Sequence, residues 1–286
     1  MKISVYITSY NQKAFLQEAI ESVLAQTLQP FEIIIVDDCS SDGSQELIKE
    51  YFNKYPFIKY FFHEKNQGVS QVRITALSNV TGDFVTYLDG DDLYLPNKLE
   101  IESQLMKNND CNIVFTNNMY VDPDDVNDVK WIWATDKIKL SSNLFAQTIS
   151  RDFPRRSLFR MELINYEFLK NIGFHDLNLK IYEDYDLRIR LAKKAKISCS
   201  IEPTTKIRIS KNGLSRTNRE EHIKSYKYIY SKYETDVNNL NESLRNEVKL
   251  KMERNLNSLY KQKNEFSNKT LKERIKNKLQ ILIDKI

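Results

Sequence analysis

Over roughly the first 120 residues, the period of the hydrophobic positions switches repeatedly between strand-like and helix-like. Residues 3–8 are a short apolar run rich in β-branched side chains, the pattern of a buried strand. From about 12 to 26 the spacing becomes helical and puts Phe15, Leu16, Ala19, Ile20, Val23 and Leu24 on one face. Residues 31–36 predict a second strand, after which Asp42 can cap a helix carrying Leu47, Ile48 and Tyr51. A third strand over 58–62, a helix over 69–80 and a fourth strand over 84–88 follow. Pro96 can open a helix that runs to about Lys107, and 112–116 is a fifth strand.

Repeated β-α units imply a mostly parallel sheet covered by helices on both faces. Ligands of such sheets bind beyond the carboxyl ends of the strands. Thr8, Asp37-Asp38 and the run Asp89 to Asp92 all fall there. From about 117 to 215 the pattern loses regularity; it holds Trp131, Trp133, a Phe153-Pro154-Arg155-Arg156 turn and a helix over about 184–195. Beyond about 218 glycine and proline vanish, which predicts a helical tail. Its end carries an apolar stripe of Leu271, Ile275, Leu279, Leu282 and Ile286, with Lys269, Lys272, Lys276 and Lys278 beside or opposite it.

Composition narrows the class. With 41% hydrophobic and 29% charged residues, the 286-residue chain is an ordinary globular protein, with room for one large domain and an appendage. A net charge of +4 is too mild to argue for a nucleic-acid partner. Cys39, Cys111 and Cys199 form no C-x-x-C pair, so neither a zinc knuckle nor a disulfide framework is supported and a reducing, cytoplasmic compartment fits. A single basic residue precedes the first strand with no small-residue cleavage site, so no signal peptide is expected; no apolar run reaches the roughly 20 residues of a membrane span. The C-terminal stripe fits a peripheral position on the inner face of the cell membrane, packing on the catalytic domain, or a homodimer contact.

Four segments carry candidate chemistry. Asp89-Gly90-Asp91-Asp92 gathers three carboxylates at a strand end; they repel one another unless a cation or donors compensate them. A divalent ion fits, since magnesium and manganese bind through one or two carboxylates plus substrate phosphates; an acidic turn capping the next helix is the competing reading. Val36-Asp37-Asp38-Cys39-Ser40-Ser41-Asp42-Gly43 offers a carboxylate to the imino N–H of a pyrimidine, or simply caps a helix. In Asn66-Gln67-Gly68-Val69-Ser70-Gln71-Val72-Arg73 a glycine turn opens a helix with Arg73 one turn in, suited to a phosphate or ribosyl group, though a capped helix with a surface arginine looks the same. Glu183-Asp184 opens a helix; a carboxylate there can take the proton of an acceptor hydroxyl or merely stabilise the helix start.

Taken in order, with Ile7-Thr8-Ser9-Tyr10-Asn11 in front, these segments resemble the family 2 glycosyltransferases of the GT-A fold over roughly residues 1–215. The resemblance implies an α/β, Rossmann-like catalytic domain over 1–217, with a nucleotide-binding half over 1–116 and an acceptor-side half over 117–217, followed by a helical extension over 218–286. It implies an inverting transfer from a nucleotide-diphosphate sugar, with uridine the preferred base, to a glycan or lipid-linked glycan hydroxyl in surface polysaccharide or glycoconjugate synthesis. The transferred group would be a hexosyl or N-acetylhexosaminyl unit.

By position, Thr8, Tyr10 and Asp38 would hold the base and ribose, Arg73 would help bind the nucleotide, and Asp91 would contact the ribose. Asp92 would bind Mn2+ or Mg2+, Asp89 would face the donor sugar, Asp184 would be the catalytic base, and Glu183 would support it or touch the acceptor. Where many relatives have an Arg-x-His element, this chain reads Ile207-Arg208-Ile209-Ser210, which leaves Arg208, Lys211 or Arg216 to neutralise the diphosphate. Trp131 and Trp133 are candidates for stacking on a sugar or for the core, and Arg155 and Arg156 for an anionic acceptor or a solvated loop. A non-catalytic nucleotide-sugar-binding subunit of a glycan assembly complex is the alternative. No glycine-rich basic loop follows the first strand, which disfavours a nucleotidyltransferase, and no G-x-G-x-x-G, which disfavours a dehydrogenase.

Overall fold

A computed structural model describes residues 1–209 and 218–283 of the protein. The chain forms two compact units, Met1–Ser210 and Lys211–Ile286. The first opens with strand β1 (Ile3–Ser9), buried at all seven positions because helices cover both faces of the sheet. Helix α1 (Lys13–Leu24) packs Leu16, Ala19, Ile20 and Val23 inward, the i, i+3, i+4, i+7 stripe of an amphipathic helix. The alternation continues through β2 (Glu32–Asp37), α2 (Ser44–Lys54), β3 (Ile58–Phe62), α3 (Val69–Ser78), β4 (Phe84–Asp89), the short β5 (Leu93–Tyr94) and α4 (Lys98–Asn108). The fourth helix therefore starts two residues after Pro96.

The acceptor-side half contributes β6 (Ile113–Val121), β7 (Val129–Ile132), α5 (Leu144–Ile149), β8 (Leu163–Asn165), α6 (Tyr166–Ile172), α7 (Glu183–Ala192) and β9 (Ile197–Arg208). Periodicity predicted neither the length of β6 nor β9, because polar Asn117, Asn118, Thr204 and Thr205 are buried there and break the apolar pattern. The sheet has nine strands in the order β3-β2-β1-β4-β8-β6-β9-β5, with β7 on β6. The first four strands are parallel. β8 is antiparallel to both β4 and β6, so β6 runs with the first four and β9 with it. This is the α/β, mostly parallel architecture that the sequence predicts.

The second unit is helical: α8 (Arg219–Lys232), α9 (Glu234–Asn238) and α10 (Glu242–Ile283). Ser210, Lys211, Arg216 and the side chains of the 271–286 stripe lie outside the described residues. Among the described residues, no helix is long and apolar enough to cross a membrane.

Candidate active site

Register brings the acidic strand ends to one level. Thr8 lies opposite Asp89 of β4, and Ser9 opposite Asp37 of β2. The Thr8 hydroxyl donates to Asp89 Oδ1 at 3.1 Å, and Gly90 N donates to Thr8 O at 2.9 Å. A Cβ on Gly90 would meet Thr8 O at 2.5 Å and Gln12 Oε1 at 2.8 Å, so only glycine lets the acidic turn close against β1.

The two carboxylates after β2 have separate tasks. Asp37 accepts from Ser9, Ser40 and Gln45 and braces the turn into α2. Asp38 accepts from Gln67 N at 2.9 Å, Gly68 N at 2.8 Å and the His63 ring at 2.7 Å, fixing the glycine turn, Gly68 at φ +85°, that opens α3. A carboxylate offers about four lone pairs, so one on Asp38 is left for a further donor. Asp38 N donates to Ser9 O at 2.9 Å, and the next residue along, Tyr10, is 48% exposed. Asp42 accepts from Lys13 N and Ser44 N, tying the starts of α1 and α2 together.

The acidic turn itself is undercompensated. Burial and the charge of Asp89 push the Asp91 carboxyl up to about 6. Burial and the charges of Asp91 and Asp89 push Asp92 well above the usual carboxylate range, although Arg208 N donates to it at 2.9 Å. Carboxylates pushed toward their protonated forms by burial and by one another fit a hard divalent cation. Among the described residues, no three His, Cys, Asp or Glu side chains gather into a closed metal cage.

Arginines organise the other side. Arg73 is buried, donating to Asp89 Oδ1 at 2.8 Å, lying 3.4 Å from Glu183 Oε1, and set with its guanidinium carbon 4.3 Å from the Tyr87 ring centre. It thereby joins Asp89 at the end of β4 to Glu183 at the start of α7. Arg208 is likewise committed: it donates to Asp91 O at 2.7 Å and Glu18 at 2.8 Å, bracing the acidic turn against α1.

Helix α7 presents Glu183 and Asp184 in its first turn, where the dipole favours anions. The Glu183 side chain is 7% exposed against Arg73, that of Asp184 28% exposed. Burial and the neighbouring Asp184 raise the proton affinity of Glu183. Burial alone would raise Asp184 too, but the charges of Arg188, Arg160 and Arg73 outweigh it and hold that carboxyl well below the usual range. Arg188 clamps it from one turn on, Nη1 to Asp184 at 2.5 Å, and pairs with Glu162 at 2.9 Å.

Sequence reasoning missed Arg160, Glu162 and Arg188. Arg188 had a signal, its i+4 spacing from Asp184. Arg160 had none, since it sits on an irregular segment before β8. Burial would loosen its proton, yet Tyr120, Tyr87, Asp184 and Asp89 around it keep it firmly charged. Met161 holds it there at φ +53°, its carbonyl accepting from buried Lys98 at 2.7 Å and Thr86 at 3.0 Å. A left-handed non-glycine residue costs about 1–3 kcal/mol and persists where its surroundings over-determine it.

Comparison with known proteins gives the family and the fold. Residues 4–167 match the profile of glycosyl transferase family 2. A Rickettsia felis protein named uncharacterized glycosyltransferase is 35% identical over 209 residues, 73% of this chain and 33% of that protein. The chain thus spans about a third of that relative's length. Among solved structures, S. aureus TarS in complex with UDP-GlcNAc superposes with a TM-score of 0.70 at 21% identity, over 87% of this chain and 70% of that one. The mannosyltransferase PcManGT from Pyrobaculum calidifontis, in complex with GDP-Man and Mn2+, gives 0.55 at 15% identity, over 84% and 65%. Both show the fold.

Proposed function

We propose that this chain, which belongs to glycosyl transferase family 2, moves a hexosyl or N-acetylhexosaminyl unit from a uridine-diphosphate sugar to a hydroxyl of a glycan or lipid-linked glycan. The observation that carries the reading is an undercompensated acidic turn, Asp89 to Asp92, linked through Arg73 and Arg160 to a partly exposed, ionised Asp184. TarS was solved with UDP-GlcNAc, which favours a uridine donor; PcManGT was solved with Mn2+, which favours a divalent ion.

The chain's residues divide the work. Tyr10 and Thr8 at the end of β1, with the remaining lone pair of Asp38, receive the base and ribose, and Asp91 the ribose hydroxyls. Asp92 holds Mn2+ or Mg2+, which when bound neutralises charge on the leaving diphosphate. Asp89, locked by Arg73 and Thr8, faces the donor sugar.

Asp184 takes the proton. The acceptor oxygen bonds to the anomeric carbon as the bond to the diphosphate breaks, the configuration inverts, and the hydroxyl proton passes to Asp184. Its depressed proton affinity keeps it ionised at neutral pH; the transfer completes late, when the new bond has made the hydroxyl acidic. Glu183, shielded and paired with Arg73, supports that geometry.

The test is a screen of the purified chain over nucleotide sugars, scored by nucleotide release and by binding. Turnover of a UDP-sugar is expected. If no nucleotide sugar is bound or turned over, the reading fails.

A further inference from the structure

Strand β7 carries an exposed aromatic surface that the donor site does not use. Trp131 stacks on Tyr120 of β6 with ring centres 5.1 Å apart and planes at 19°. Trp131 is 37% exposed, whereas Trp133, two residues on, is 1% exposed and packs on Phe115 and Phe153 in the core. The guanidinium of Arg155 lies 5.9 Å from the Trp131 ring centre and is steadied by Arg155 Nε donating to Ile132 O at 3.2 Å. Asp122 and Asp128 neutralise the neighbouring Lys130, so the positive charge here belongs to Arg155 and exposed Arg156.

The surface adjoins the reaction cleft. Tyr120 pairs with Trp131 on one side and Ile207 of β9 on the other; the next residue, Arg208, donates its N–H to Asp92. Two strand spacings, about 10 Å, separate β7 from β9. Tyr120 also neighbours Arg160, which faces Asp184. Arg155 and Arg156 both adopt left-handed backbone, φ 55° and 53°, which glycine would hold without strain. Folding explains neither the exposed indole nor arginines kept at strained positions.

We propose that Trp131, Tyr120 and Arg155 form an acceptor subsite for an anionic glycan, its sugar ring lying on Trp131 and its phosphate or carboxylate meeting Arg155. The planar aromatic face matches the apolar face of a pyranose, and the fork of the guanidinium matches a carboxylate or phosphate. The stack on Trp131 pre-orients Arg155, which reduces the ordering cost of binding. This subsite rests on the transferase reading above, because it supplies that reaction's acceptor.

The test uses the full chain and three hexasaccharides: a hexagalacturonate, a 6-phosphorylated maltohexaose and neutral maltohexaose. Trp131 is the exposed one of two tryptophans, so fluorescence reports binding at this surface; calorimetry serves where it is replaced. At least one anionic probe should bind about tenfold tighter than maltohexaose, as expected for one charge-assisted contact. The stronger of the two tells whether the acidic group is a carboxylate or a phosphate. Arg155→Gln should reduce that probe to the neutral level and Trp131→Ala should weaken it about tenfold, while UDP-GlcNAc binding stays unchanged in both variants. Equal affinity for all three probes, binding of none, or undiminished affinity in the variants would overturn the subsite. Absence of nucleotide-sugar binding in the wild type would instead overturn the donor reading.

Discussion

The donor half and the acceptor half of the first unit reach chemical order by opposite routes. Through residue 116 the site residues sit at the ends of parallel strands, where register alone levels Thr8, Asp37 and Asp89. From 117 onward Glu183 and Asp184 open helix α7, and the charged residues around them, Arg160 and Glu162, sit on irregular backbone pinned by buried polar contacts. Of the seven left-handed non-glycine residues described, five lie in the second half: Arg151, Arg155, Arg156, Met161 and Tyr182. Strain of that kind persists only where the surroundings over-determine it, so the donor half is held by topology and the acceptor half by side-chain chemistry. The first arrangement tolerates loss of single polar contacts; the second should not.

Chemistry gives the largest expected contrast. Asp184→Asn should lower transfer by roughly a hundredfold to ten-thousandfold while donor binding, built on β1 to β4, is kept. Equal losses of transfer and of donor affinity would mean that the halves are not separable. Asp184→Asn also removes a charge from the Arg188 clamp, so a thermal melt should accompany the kinetics.

Next comes the pin itself. Lys98 and Glu102 are a fully buried pair, with Lys98 holding the Met161 carbonyl. Burial lowers the Lys98 pKa and raises that of Glu102 even with the partner present. Lys98→Met strands Glu102 and should cost about 3–5 kcal/mol in chemical denaturation. Adding Glu102→Leu should recover part of the stability without recovering transfer, because Arg160 still loses its anchor. Full activity in the double variant would show that the strained segment is not what positions Arg160.

The same contrast decides what was legible in the sequence. Strand ends and glycine turns announce themselves through periodicity and local spacing, so the acidic turn, Asp38 and the start of α7 were found with their neighbours. Spacing singled out Arg73 but not its partners: only the fold shows that its guanidinium meets Asp89 and Glu183. Arg160 and Glu162 were invisible, because Met161 between them is held by Lys98 from 63 positions away and by Thr86 of β4, which leaves no local pattern. Buried Asn117, Asn118 and Thr204 hid the long β6–β9 pairing for the same reason. Of the two tryptophans, burial places Trp133 in the core and leaves Trp131 at the surface.

A smaller effect is the pH response behind Glu183. Burial and the charge of Arg73 lower His175 from 6.5 to about 3. Above 6.5 its ring is neutral in both folded and unfolded chains. As pH falls below 6.5 the unfolded chain takes a proton that the folded one refuses, so stability drops by up to about 1.4 kcal/mol per pH unit until about 3. Asp91 works in the opposite sense: its folded carboxyl, at about 6, protonates before the unfolded one at 3.8, so its burden is relieved as pH falls through 6. In denaturation at pH 6.5 and 5.0, His175→Asn should therefore lose about 1–2 kcal/mol less than the wild type. An identical loss would show that the buried ring contributes nothing to the slope.

The central claim is that Asp89 to Asp92 form a metal-dependent diphosphate site, and calorimetry of UDP-GlcNAc binding in Mn2+ and in EDTA tests it most directly. Wild-type affinity should be at least about tenfold higher with Mn2+, and Asp92→Asn should bring the two conditions together while the fold remains intact. Equal wild-type affinity in EDTA, or an undiminished Mn2+ effect in Asp92→Asn, would contradict it.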